Sequence, residues 1–209
     1  MYTPAHFAET RVDVLHDLIR THRLATVVRL VDDNLAADHI PLLIDASAGA
    51  HGILRGHVAR ANPIWRDADQ CNVLVIFQGP QAYITPSWYA SKAEHGKVVP
   101  TWNYAVVHAH GTLRAIDSHA WVQRHVTQNT HENEARFAKP WAVGDAPDDF
   151  IRKTAEAIVG IEIQITTLVG KWKVSQNRSA ADRGGVIAGL RADPPSGAAD
   201  MAALIPAAD

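Results

Sequence analysis

The spacing of apolar residues changes along the chain, and each change marks an element. From Glu9 to His22 they recur every three or four positions (Val12, Leu15, Leu18, Ile19), which places them on one helical face. The period then drops to two. Leu24 to Val31 is a β-branched run, Asp32-Asp33-Asn34 offers turn chemistry, and Leu35 to Asp45 follows, so a hairpin is predicted. His51 to Arg60 reads as a strand broken by Asn62-Pro63, with a short helical turn after it. Asn72 to Gln78 is apolar on both faces, as a central strand should be. Gly79-Pro80 reads as a turn before Gln81 to Thr85. Trp102 to Ile116 alternates, with Tyr104, Val106, His108 and His110 on one face and Val107, Ala109 and Leu113 on the other. Helical patterns cover Ser118 to Glu134 and Asp148 to Ala157. Ile158 to Val169 alternates again, and Val186 to Leu190 allows a short helix. Ala192 to Asp209 is rich in alanine and proline and is expected to dock loosely.

About seven strands with late and peripheral helices favour a closed antiparallel barrel over a doubly wound sheet. The fold class is therefore mainly β with peripheral helices. No glycine-rich phosphate loop follows the first strand, which removes the nucleotide folds built on one.

Composition narrows the partners. A formal net charge of −2 argues against bulk nucleic acid as the main partner. The single cysteine, Cys71, permits no intrachain disulfide and fits a reducing compartment. The first residues show neither a basic start nor an apolar run, and no stretch approaches the ~18 apolar residues of a membrane span. A cytoplasmic protein without membrane association is expected.

Candidate chemistry gathers in blocks that pair a large ring with a cation or an amide. Arg60 and Asn62 close a strand, where a guanidinium can fork onto a phosphate; the competing reading pairs Arg60 with a carboxylate. The long stretch from Thr85 to Thr101 offers Ser87, Lys92 and Thr101 as donors, with Trp88 and Trp102 as rings to stack on a ligand or to anchor the loop. Gly170 to Asn177 places Lys171 and Lys173 on one side of the chain and Trp172 and Gln176 on the other. Twelve histidines raise a haem or metal reading, with His108 and His110 on one strand face. No zinc spacing and no nucleophile motif accompanies them, so no metal site and no catalytic residue is assigned.

Taken in order, the blocks resemble the PaiB family of FMN-binding transcriptional regulators. They include Met1-Tyr2-Thr3-Pro4-Ala5-His6-Phe7, His39-Ile40-Pro41-Leu42-Leu43, Gly56 to Trp65, Tyr83 to Tyr89, Val99 to Tyr104 and Gly170 to Asn177. The resemblance runs from residue 1 to about 190 and implies a split β-barrel of the FMN-binding type. It further implies a bacterial homodimer with FMN in a cleft between subunits. The expected organisation is one domain over residues 1–190 and an Ala/Pro-rich tail over 191–209. Arg60, Asn62, Ser87, Trp88, Lys92, Thr101, Trp102, Lys171 and Gln176 are the expected cofactor contacts. The family's regulatory role leads, as a ligand or redox sensor that acts indirectly. Nucleic acid stays open as a partner, but no direct DNA-binding motif is seen. A flavin-dependent oxidoreductase on the same fold is the alternative, and a haem-binding protein the second.

Overall fold

The structure is a computed structural model that describes residues 1–66, 68, 71–192 and 198–207. A short strand β1 (Ala8–Glu9) leads into helix α1 (Val12–Thr21) and strands β2 (Leu24–Val31), β3 (Asn34–Pro41), β4 (Leu43–Asp45) and β5 (Ile53–Ala59). Strand β6 (Cys71–Ile84) is followed by helix α2 (Ser91–His95), strand β7 (Thr101–Ile116) and helices α3 (His119–Glu134) and α4 (Asp148–Glu156). Strand β8 (Ile158–Lys173) and helices α5 (Ala180–Ala192) and α6 (Ala198–Leu204) complete the order. The strands form one sheet in the order β3-β2-β6-β7-β8-β5-β4, with β1 on β8. The predicted fold class, mainly β with peripheral helices, is the observed one.

The β2–β3 hairpin shows how local chemistry sets register. Val31 faces Asn34 across a two-residue loop, and both loop residues, Asp32 and Asp33, have positive φ. A type I′ geometry needs that conformation, and short polar side chains tolerate it.

The chain divides into two compact units. One comprises residues 19–77 and 109–168. Within it the sheet path returns to its start, because β3 and β4 are joined by Leu42 alone. The close approach is visible at Gly56 of β5, where a Cβ would lie 2.7 Å from Leu42 and 3.0 Å from the Pro41 carbonyl oxygen. Glycine permits that approach, as expected for glycine in a strand. Helix α3 seats on this sheet through Trp121, whose ring would lie 2.3 Å from a Cβ at Gly160. The Ser118 hydroxyl caps α3 by accepting from the Trp121 amide at 3.4 Å. We expect Ser118→Ala to cost about 1 kcal/mol in chemical denaturation.

The other unit comprises residues 1–18, 78–108 and 169–209. Its core gathers Ile84, Tyr89, Val186, Leu190, Met201 and Ile205, with Trp88 and Trp172 packed against it. Two expectations change here. The tail does not hang loose throughout: Ala198, Met201 and Ala202 of α6 are buried in this core. Residues 193–197 and 208–209 of that tail lie outside the described residues. The helix expected from Val186 begins at Ala180 instead and includes Gly184, Gly185 and Gly189. Three glycines weaken a helix by propensity. Two of them are explained by packing, because a Cβ at Gly185 would lie 2.0 Å from the Trp88 carbonyl oxygen and one at Gly189 2.3 Å from its indole.

Strand β6 also departs from expectation, running through Gly79-Pro80 without a turn. Burial alternates until Pro80, then slips by one: Pro80 and Gln81 both lie outside the buried set, while Gly79, Ala82 and Ile84 are buried. A one-residue slip is the mark of a bulge, and proline is accepted there because its missing N–H leaves no ladder bond unmade. Strand β8 runs four residues beyond the predicted Val169, since Gly170 and Lys171 pair with Glu9 and Ala8.

Candidate functional site

Alternation along β7 brings Trp102, Tyr104, Val106 and His108 to one face within the second unit described. With Gln78 and Gln81 of β6 and Met1 they line a cleft of about 390 Å³. Trp102 is 53% exposed and meets Tyr83 edge-on, ring centroids 6.0 Å apart. Such a surface can accept a flat ring.

Two lysines of β8 border the same aromatics. The Lys171 ammonium lies 5.2 Å from the centroid of Tyr104 and 5.8 Å from that of Tyr2, and donates to the Tyr2 carbonyl at 3.1 Å. Lys171 is buried, so the two rings supply part of the electrostatic compensation that water would give. The Lys173 ammonium donates to the Thr101 hydroxyl and, at 2.6 Å, to the Trp102 carbonyl. Its pKa is below the usual lysine value, first because of burial and then because Lys171 and Arg178 repel its charge. Among the described residues no carboxylate forms an ion pair with either lysine. Two adjacent cations without a carboxylate leave a positive potential beside the cleft.

Other elements hold this arrangement in place. The buried Asn103 amide donates to the Ser175 hydroxyl at 2.9 Å. Gln176 accepts from the Val174 amide at 2.8 Å and donates to the Trp172 carbonyl, closing the turn after Lys173. Ser175 in that turn has φ of 61°.

The nine expected contacts thus separate. Thr101, Trp102 and Lys171 come together at the cleft border. Lys92 donates to Ser87 at 3.1 Å, and both are exposed in the stretch after β6. Trp88 serves as the floor under α5, and Gln176 as the turn's internal brace. Arg60 and Asn62 belong to the other unit. There Arg60 makes a two-point pair with Asp117 at 2.9 and 2.7 Å and donates to the Glu156 carbonyl at 2.9 Å. Asn62 accepts from the Ile64 amide and donates to Asp38 at 2.8 Å. Tyr104, Gln78, Gln81 and Lys173 complete the face and are missing from the expected set. The alternation of β7 was a signal for Tyr104; the bulge that turns Gln81 outward had none beyond Gly79-Pro80.

Among the described residues no three His, Cys, Asp or Glu side chains are placed to share a metal ion. No helix of those residues is long and apolar enough to cross a membrane.

Residues 1–167 match the family described as "Putative FMN-binding domain". The chain belongs to this family. A member of known name, the Bacillus subtilis "Protease synthase and sporulation protein PAI 2", is 31% identical over 98% of this chain and 96% of its own length. An uncharacterized protein of the fungus Emericella nidulans is 35% identical over 91% of this chain and 90% of its own. Among solved structures, the FAD and heme binding protein from Mycobacterium smegmatis aligns with a TM-score of 0.58 at 18% identity, covering 79% of this chain and 73% of that one. The flavocytochrome Anf3 from Azotobacter vinelandii aligns at 0.57 and 12% identity, over 79% of this chain and 69% of that one. These likenesses establish the split-barrel fold implied by the sequence blocks. FMN is the cofactor this family implies, and the donor set fits it: ammonium groups with no carboxylate partner suit a phosphate, and Trp102, Tyr104 and Tyr83 suit a flat ring.

Proposed function

We propose that this FMN-binding-family chain binds FMN on the β6–β7–β8 face of the unit holding residues 78–108. Lys171 and Lys173 take the phosphate, and Trp102 borders the ring. The observation that carries this reading is the pair of lysines without carboxylate partners beside an exposed aromatic face. When bound, FMN supplies one- and two-electron redox chemistry. The chain's own residues bind and orient it: Thr101 and the Trp102 carbonyl fix the Lys173 ammonium, while Tyr2 and Tyr104 fix that of Lys171.

We further infer a cytoplasmic homodimer that acts as a regulator of the PaiB type, sensing a ligand or redox state and affecting transcription indirectly. Family membership and the likeness to the Bacillus protein support this reading. Titration of the purified protein with FMN, followed by flavin fluorescence, tests the cofactor; no binding at micromolar concentration refutes it. Ser87 and Lys92 are assigned to the outer edge of the ligand. Arg60 and Asn62 are assigned to the architecture of their own unit. Arg60→Ala is therefore expected to leave FMN affinity unchanged and to lower the thermal midpoint. A tenfold loss of affinity would restore Arg60 to the phosphate. Bound flavin should stay oxidised under excess reduced nicotinamide; rapid bleaching with turnover of an electron acceptor would favour the oxidoreductase alternative.

A further inference from the structure

A second cavity, larger than the first, lies wholly within the unit of residues 19–77 and 109–168, with a volume of about 720 Å³. Helices α3 and α4 and the turn before α4 wall it, and the starts of β8 and the middle of β5 contribute Ile158 and His57. Its size is that of a small-molecule pocket. Val126, Val143, Ile151, Ala155 and Ile158 make much of the lining apolar.

Two polar groups in this lining lack partners. Arg152, exposed at the rim, forms no ion pair among the described residues, although Asp148 stands one helical turn away, at a spacing where such pairs form readily. The Nδ1 of His57 is shielded from solvent and has no hydrogen-bond partner. Burial also keeps the His57 imidazole neutral, since its pKa lies below the usual histidine value. Its ring meets that of His125 edge-on at 5.4 Å, and His125 stacks on Trp121 at 5.0 Å; these two rings lie outside the lining and hold His57 in place.

We propose that this cavity is a binding site for a small aromatic monoanion, one or two rings carrying a single carboxylate or sulfonate. The apolar walls take the rings, and Arg152 takes the anionic group. His57, part of the lining, adds a polar edge beside the rings. Asp148 at the same rim disfavours a second negative charge. The site shares no lining residue with the proposed flavin face, and the proposal does not depend on that reading.

The test uses the full chain with FMN added and 1-anilinonaphthalene-8-sulfonate as the probe, followed by isothermal titration calorimetry. One probe per chain is expected to bind with a micromolar dissociation constant. Arg152→Gln is expected to weaken it about tenfold. Gly144 lines the cavity, and a Cβ there would meet nothing within 4 Å, so Gly144→Phe should fold and fill the space. That variant is expected to abolish probe binding while keeping the thermal midpoint and the FMN affinity of the parent. Probe binding of equal strength in parent, Arg152→Gln and Gly144→Phe would overturn the proposal, as would the absence of any binding heat in the parent. Should Gly144→Phe lose its thermal midpoint, Ala155→Trp fills the same cavity from helix α4 and decides the matter by the same readout.

Discussion

Lys173→Met is expected to raise the FMN dissociation constant by roughly ten- to a hundredfold. A hydrogen bond to a charged group contributes about 1.5–3 kcal/mol, and tenfold in affinity is about 1.4 kcal/mol. Lys173 should sit at the upper part of that range, because its ammonium is already oriented by Thr101 and the Trp102 carbonyl and loses little freedom on binding. Its depressed pKa points the same way: a phosphate that relieves the repulsion from Lys171 and Arg178 gains more than one meeting an isolated surface lysine. Trp102→Ala should weaken binding independently, through lost ring contact. Flavin fluorescence titration at fixed ionic strength measures both. An unchanged dissociation constant in Lys173→Met would remove the phosphate from this face.

Acidification should weaken the fold well before the carboxylates titrate. His125 is buried, and burial first, then the neighbouring His57 and Arg55, lowers its pKa from 6.5 to about 4. The folded state therefore holds it neutral, while the unfolded chain takes up a proton near pH 6.5. The stabilisation is complete above that value and is lost as pH falls toward 4. The loss from this one side chain is about 2 kcal/mol at pH 5 and about 3 kcal/mol at pH 4. His57 adds to it in the same direction. The lowered carboxylates Glu9, Asp117, Glu162 and Asp182 begin to contribute only near pH 4, where the unfolded chain takes up their protons, and their stabilisation is lost as pH falls further toward their folded values. Urea denaturation from pH 7.5 to 4 should show the fall, and His125→Phe, which keeps the stack on Trp121, should flatten it. A variant with the parent's pH slope would show that His125 is not the group responsible.

Much of this fold was legible because period and turn chemistry agree. The α1 face, the Asp32-Asp33 hairpin and the alternation of β7 each follow from side-chain size and direction at neighbouring positions. The misreadings share another cause. Gly79-Pro80 carries turn residues, yet the strand continues, because a bulge accepts proline. Gly184-Gly185 argues against a helix, yet α5 includes both, because Trp88 needs the room at Gly185. In each case a partner distant in sequence overrides the local preference. The candidate site was legible only in part for the same reason. Trp102, Thr101 and Lys171 were named from their blocks. Sequence could not tell that Trp88 and Trp172 pack against a core while Trp102 stays open, nor that Asp117 and the Glu156 carbonyl engage Arg60.

The single residue between β3 and β4 has a consequence for chain engineering. Leu42 is the only covalent bridge across the seam where the sheet path meets itself, and it is 1% exposed. A circular permutant opened there would free the ends of β3 and β4 and bare their unpaired backbone groups, an invitation to strand exchange between molecules. New termini placed instead at the turn of residues 46–50 would leave that seam intact. The protein's tolerance for rearrangement should therefore differ sharply between two cuts less than ten residues apart.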